Sequence, residues 1–351
     1  MKNFILFCAL FLVSCGAGNQ SAPQASMDTL YAPRYARHFV VLHSGDSVVL
    51  RVKNPYQGAA GVSVDYSLAK ADRIVCMSSS HAAFLDTLGA GGRVVGVSAP
   101  QYYSSPRFAR LPDVGYDNSL NVELIASLGA DIITAYALTT EKNPMLSKAE
   151  LLGVRPIYVA DYLEDTPLAR AEWVVAFGAL VGRQKIGESI FEGIEKNYIA
   201  LRDSVQGLKL CPRKVMLNSP YKGVWYLPGD SSFIVRMIVD AGGEYVARGM
   251  KDNLSHAVSS EVAYARALQA QVWINPSANI TRKAQIIEEN DLLSNVNIPI
   301  YNNTLRSGKA GGSDFWESGV LRADLALRDM VKIFHTKALP NHRLYYYYEL
   351  R

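Results

Sequence analysis

The sequence predicts an α/β protein: two Rossmann-like lobes with parallel sheets, joined by a long backbone helix and preceded by an N-terminal β-hairpin extension. Three observations carry this. From Arg73 onward, short apolar strand-like runs alternate with helix-length segments, the pattern of a parallel sheet covered by helices. The alternation stops once, over the helical stretch 166–208, and then restarts. The two halves also echo each other. Asn121-Val122-Glu123 and Ser259-Ser260-Glu261 each place a capping residue two before a glutamate. An apolar helix, an alanine and a strand follow in both halves.

The chain of 351 residues is long enough for two cores, and its net charge of +4 is too small and scattered to argue for nucleic acid. It opens with Lys2 and the apolar run Phe4–Val13. That run is too short for a permanent span, which needs ~20 apolar residues, and reads as a secretory signal over 1–14. Polar and small residues follow, so 15–27 is expected to be a flexible tether. In 28–66, "HFVVLHSGDSVVLRV" sets two apolar runs around Ser44-Gly45-Asp46-Ser47, a hairpin signal.

The first lobe is placed at 67–165. "RIVCMSSS" is a buried strand ending in serines, "HAAFLDTLGAGG" a helix closed by glycines, and "RVVGVS" a strand. "NVELIASLGA" is a second helix, with "DIITAYA" and "LLGVRPIYVA" as further strands. In 166–208, "PLARAEWVVAFGALVG" and "QKIGESIFEGIEKNYIALRDSVQ" are helical, the second with Ile186, Ile190, Ile194, Tyr198, Leu201 and Val205 on one stripe. The second lobe is placed at 209–351. It has strands at "KVMLNSP", "QVWINPS" and "IPIYNN", helices at "SSFIVRMIVDAGG" and "SSEVAYARALQA", and a closing helix at "GVLRADLALRDMVKIFH". Trp316 is expected to pack that closing helix, and the tail "RLYYYYEL" has no assigned role. Cys76 and Cys211 flank apolar runs and read as buried free thiols. No Cys/His cluster has zinc spacing, and no metal site or cofactor is expected.

Two resemblances add to this. Leu12-Val13-Ser14-Cys15 resembles the bacterial lipoprotein box, which implies cleavage before Cys15, lipid on its sulfur and a membrane anchor facing the periplasm or cell exterior. "RIVCMSSSHAAFLDTLGAGGRVVGVS", "DVGYDNSLNVELIASLGADIITA" and "GGEYVARGMKDNLSHAVSSEVAYARALQAQVWIN" together resemble the substrate-binding proteins of ABC transporters of the siderophore, haem and cobalamin class. The resemblance runs from about Arg73 to the C-terminus and leaves 28–66 outside. It implies ligand held between the lobes and delivery to a permease dimer with its separate ATPase. It also implies that Glu123 and Glu261, one on each lobe, meet arginines of the permease. The plainer reading of each glutamate is a first-turn carboxylate favoured by the helix dipole.

Cleft candidates follow from strand ends, where open α/β sheets bind ligands. Tyr102 and Tyr103 follow "RVVGVS", Tyr116 precedes the Asn121 helix, and Tyr136 ends "DIITA". Trp225 lies in "YKGVWYLPGDSS", and His256 lies just before Ser259. Flat rings suit a large flat chelate such as a corrin, porphyrin or catechol siderophore, although a chain with 20 tyrosines must bury some. Arg306, in "NNTLRSGKAGG", resembles a family cleft loop and is a candidate for a ligand carboxylate or phosphate; a plain surface arginine is the alternative. His81 is a candidate axial ligand to iron, or a hydrogen-bonding residue at a helix start. An enzyme is not expected. Ser80 and His81 are adjacent rather than facing, and there is no G-x-S-x-G, P-loop or H-E-x-x-H. "GAGG" at Gly89–Gly92 follows a helix, not a strand, so it lacks the dinucleotide context. A tethered ligand sensor on the same two lobes is the alternative to transport.

Overall fold

The computed structural model describes residues 27–69, 71–137, 143–277, 279–289 and 291–351. The signal segment, Cys15 and the tether up to residue 26 lie outside the described residues. The N-terminal extension is larger than a hairpin. Strands β1 (Asp28–Tyr31), β2 (Phe39–Ser44), β3 (Ser47–Lys53) and β4 (Ser63–Leu68) form one antiparallel sheet in that order. The β2–β3 turn falls at Gly45, whose φ of 59° suits the glycine there.

The first lobe comprises β5 (Ile74–Cys76), α1 (Ser79–Thr87), β6 (Val94–Val97), α2 (Val122–Ser127), β7 (Ile132–Ala135), α3 (Pro144–Leu151) and β8 (Arg155–Tyr158). Its four strands are all parallel, in the order β6-β5-β7-β8. Two helices then lead to the second lobe, α4 (Pro167–Leu180) and α5 (Gln184–Gly207). All fourteen residues of α4 are buried, so it is the wall shared by the surrounding layers. Helix α5 lies against it in a tight hairpin turned at Gly182, with φ of 71°. At Gly187 the two backbones approach so closely that a Cβ would stand 2.7 Å from the Val174 carbonyl oxygen. The buried face of α5 is therefore Gly187, Phe191, Ile194, Tyr198 and Val205, rotated from the expected stripe, and Ile186 is exposed.

The second lobe comprises β9 (Arg213–Leu217), β10 (Pro220–Tyr221), β11 (Val224–Pro228), α6 (Phe233–Asp240), β12 (Gly243–Tyr245), β13 (Ser255–Ser259), α7 (Ser260–Ala267), β14 (Val272–Ile274), α8 (Lys283–Glu289), β15 (Ile300–Asn302), α9 (Ser318–Leu321), α10 (Ala323–Phe334) and β16 (Tyr348–Glu349). The main sheet runs β12-β9-β14-β15-β16, parallel except for β16, and β10-β11-β13 form a small antiparallel sheet beside it. The expected closing helix is two helices that break at Arg322. The tyrosine-rich tail closes the sheet edge as β16. Buried Asp329 on α10 accepts the backbone N–H groups of Tyr345 (2.9 Å) and Tyr346 (2.7 Å) and pairs with His342 Nε2 at 2.7 Å. Tyr346 and Tyr347 are wholly buried in consequence.

The extension is bound to this frame by two buried carboxylates. Glu172 on α4 accepts from the Tyr31 hydroxyl (2.7 Å) and from the backbone N–H groups of Arg34, Tyr35 and Ala36, each at 2.8 Å. Glu164 accepts from the Arg37 and His38 N–H groups and from Trp173 Nε1. Phe39 packs on the Trp173 ring at 4.9 Å. A buried carboxylate is tolerated only when its oxygens are this fully paired.

Candidate functional site: the cleft between the lobes

In both lobes the helix before a parallel strand must run against it, so the N-termini of α2 and α7 sit at the C-terminal edges of the sheets. The loops at those edges form the facing walls of a cleft. On the first wall, Ser98 and Ala99 follow β6, Ala99 with φ of 52°, and the Pro100–Tyr102 turn presents the Tyr102 ring, 49 % exposed. Tyr116 is 47 % exposed. Its hydroxyl is pushed above its ordinary value by partial burial and by the neighbouring Tyr102 phenol. Tyr136 is half-buried and meets the edge of Tyr162 at 6.4 Å.

On the second wall, the ends of β9, β14 and β15 open into a cavity of about 400 Å³. Asn218, Tyr221, Asn275, Asn303 and Trp316 line it, so its polar groups are mostly amides. Asn218 and Asn275 hold φ of 59° and 53°, which turns the chain away as each strand ends. A second cavity, of about 490 Å³, lies across the Asp314–Glu317 turn and takes in Asp86, Ser104, Arg306 and Tyr345.

Contacts among the described residues tie the walls together. Glu317 accepts from the Ser104 N–H at 2.6 Å and from its hydroxyl at 2.8 Å. Asn253 Nδ2 donates to Asp165 Oδ1 at 2.7 Å. The Arg170 guanidinium lies 4.4 Å above the Phe233 ring. Glycines permit the first contact, because a Cβ on Gly312 would overlap the Tyr102 carbonyl oxygen. Burial lifts the Glu317 carboxyl above its ordinary value, against the pull of the Ser104 donors.

Below the cleft lies a charged floor that sequence reasoning missed. Asp161 is 2 % exposed, with Ser80 Oγ at 3.4 Å, Arg170 at 3.6 Å and His81 Nε2 at 3.8 Å. Burial alone would raise the Asp161 carboxyl, but His81 and Arg170 hold it below its ordinary value. Burial also lowers the Arg170 guanidinium, opposed by Asp161. The one available signal was a pair of charges, Arg170 and Glu172, inside a mostly apolar helical run.

Several expectations need correction. Tyr103 does not face the cleft: it is 3 % exposed and packs against the edge of Phe108. Trp225 is wholly buried, stacked on Trp273 at 5.3 Å with its Nε1 on the Leu217 carbonyl. His81 is wholly buried, its Nδ1 3.1 Å from Thr134 Oγ1, so it cannot reach a ligand metal in this structure. Trp316 is 43 % exposed and lines the cleft, while its neighbour Phe315 fills the core. Cys211 is exposed; Cys76 is buried, its thiol pushed up to about 12 by burial. His256 lies on β13, bound to Asp252 at 2.7 Å, and lines neither cavity. Arg306 borders the second cavity, pairs with Asp314 at 2.7 Å and stacks 4.5 Å over Tyr345. Glu123 and Glu261 are exposed in the first turns of α2 and α7, capped by Asn121 and Ser259, and Lys148 stands 2.7 Å from Glu123.

Residues 74–298 match the family model described as periplasmic binding protein. The chain belongs to this family. An uncharacterized lipoprotein of Methanocaldococcus jannaschii is 25 % identical over 295 residues, which is 78 % of this chain and 68 % of the relative. The fold is similar to that of a periplasmic heme binding protein from Pseudomonas aeruginosa, with a TM-score of 0.61 and 17 % identity over 80 % of this chain and 98 % of the other. It is also similar to that of a periplasmic vitamin B12 binding protein of Vibrio cholerae, with a TM-score of 0.50 and 18 % identity over 75 % and 97 %. As in these periplasmic binding proteins, two α/β lobes flank one cleft.

Proposed function

We propose that this protein captures a metal chelate of the cobalamin, haem or ferric-siderophore class between its lobes and delivers it to an ABC permease. One observation carries the reading. Both sheets end at one cleft, and the rings open there, Tyr102, Tyr116, Tyr221 and Trp316, are aromatic faces on which a large flat ligand can stack. The haem- and B12-binding proteins of similar fold support that ligand class. The lipoprotein relative supports an anchor outside the cytoplasm, with Cys15 as its attachment. Held by lipid beside the permease, the protein meets it at raised effective concentration. Glu123 and Glu261 then offer one exposed carboxylate on each lobe to basic residues of the permease dimer. Glu123 would have to exchange Lys148 for its new partner.

The test is an absorbance titration of the purified chain with haemin, hydroxocobalamin and ferric siderophores. Saturable binding of one chelate at micromolar or lower concentration is expected. Failure of all three classes would overturn the chelate reading.

A further inference from the structure

We propose that the cleft floor holds an anion subsite, formed by Arg170 of α4 and the uncapped N-terminus of α6, that takes a carboxylate or phosphate group of the bound ligand. The inference rests on the reading of the cleft as the ligand site and adds the charge of the group that reaches its floor.

Ser232 stands at the N-cap of α6, yet its side chain makes no capping bond. It is 6 % exposed, and its Oγ has no hydrogen-bond partner among the described residues. The first N–H groups of a helix have no intrahelical acceptor and carry the positive end of its dipole. An eight-residue helix that begins on a buried, idle serine therefore has no side-chain acceptor at that end among the described residues. Arg170 packs against the side chain of the first residue of α6. Its guanidinium stacks on that residue, Phe233, and Arg170 as a whole is 8 % exposed. Its Nε has no hydrogen-bond partner among the described residues, and its ion pair with Asp161, at 3.6 Å, is longer than a close hydrogen bond. A planar guanidinium with its Nε–H unpartnered is suited to a planar or tetrahedral oxyanion.

The nearby carboxylates do not fill this role. Asp230 accepts the Gly249 N–H, and Asp252 is taken by His256 and the Leu254 N–H. Asp161 lies beyond Arg170, among Ser80 and His81. The site adjoins the ligand cavity, because the Phe233 ring meets Trp316 edge-on at 6.0 Å and Trp316 lines that cavity. Ser231 and Phe233 are only partly buried, so the first turn of α6 is not sealed from solvent.

The test compares the full chain with the double substitution Arg170→Met and Asp161→Asn, which removes the guanidinium without stranding its carboxylate. Inorganic phosphate and acetate are titrated calorimetrically at constant ionic strength. Saturable binding that weakens at least tenfold in the variant is expected, and the tighter anion names the group. In a second arm, haemin is compared with its dimethyl ester, and cobalamin with cobinamide, which lacks the phosphodiester. The anionic member of the bound pair should bind at least tenfold tighter to the unmodified chain, and the variant should lose that preference. Anion binding without binding of any chelate would keep the subsite and overturn the chelate reading. Equal binding of both members of a pair, with no saturable anion heat, would overturn the subsite and leave the chelate reading standing. Should the double variant not fold, Ser232→Ala carries the same comparison. A threefold or greater weakening supports the subsite, and unchanged anion affinity contradicts it.

Discussion

Three pairs of consecutive aromatics show how single residues sort themselves. In Tyr102-Tyr103, Trp225-Tyr226 and Phe315-Trp316, one ring is at most 3 % exposed and its neighbour is more than 40 % exposed. Adjacent side chains in extended or turning backbone point to different sides, which sends the two rings of each of these pairs apart, whereas Tyr346 and Tyr347 are buried between the closing helix and the sheet edge and both lie in the core. Composition marked these stretches as important, but it could not say which ring of each pair turns inward. Tyr103→Ala should therefore destabilise the fold by ~3–5 kcal/mol, the cost of truncating a buried aromatic. Tyr102→Ala should leave stability within ~0.5 kcal/mol, as at other surface positions, and weaken ligand binding. Chemical denaturation and ligand titration of the two single variants separate these effects, and a reversed assignment would show in both.

Glu317 allows a test of sign. Its folded value lies above the ordinary 4.5 because its charge is buried at the lobe contact. A raised carboxyl binds its proton more readily folded than unfolded. Its charge therefore costs stability above the raised value, and that cost fades as pH falls toward 4.5. The difference in unfolding free energy, unmodified chain minus Glu317→Gln, should move in favour of the unmodified chain as pH falls through that window. A flat difference would mean that the carboxylate is not held in a desolvated contact.

Among the elements, the parallel units of both lobes were legible because short apolar runs alternate with helix-length segments, two of which, α2 and α7, open on the capping residues Asn121 and Ser259. The small sheet β10-β11-β13, the short strand β12 and the edge strand β16 were not. They are two to five residues long, and their pairing is set by partners distant in sequence rather than by local pattern. The face of α5 was misplaced for another reason: a glycine, which carries no hydropathy signal, is its closest contact with α4. Gly187→Ala should destabilise the protein by ~1–3 kcal/mol, since its Cβ meets backbone that cannot swing aside. Gly193→Ala, on the same helix with open space around it, should be neutral or stabilising by up to ~1 kcal/mol. Thermal unfolding of the pair checks this; equal losses would mean that the α4–α5 approach is looser than described.

For the whole molecule, the two-lobe plan and the position of the cleft could be read from strand ends. The charged floor could not, because Asp161 and Arg170 meet only through the packing of α4 beneath both lobes. Docking belongs to this scale as well. If the chain delivers its ligand to an ABC permease as proposed, Glu123→Ala and Glu261→Ala should each weaken that association several-fold, measured with permease in nanodiscs, while ligand affinity stays unchanged. Loss of ligand affinity would instead move that carboxylate into the cleft. The central claim is that ligand sits between the sheet edges, and hydrogen exchange of free and chelate-loaded protein tests it most directly. The account predicts new protection in the loops at 98–103, 115–120, 218–221, 275–277 and 303–317, drawn from both lobes, with β1–β4 unchanged. Protection confined to the N-terminal sheet, or to one lobe alone, would contradict it.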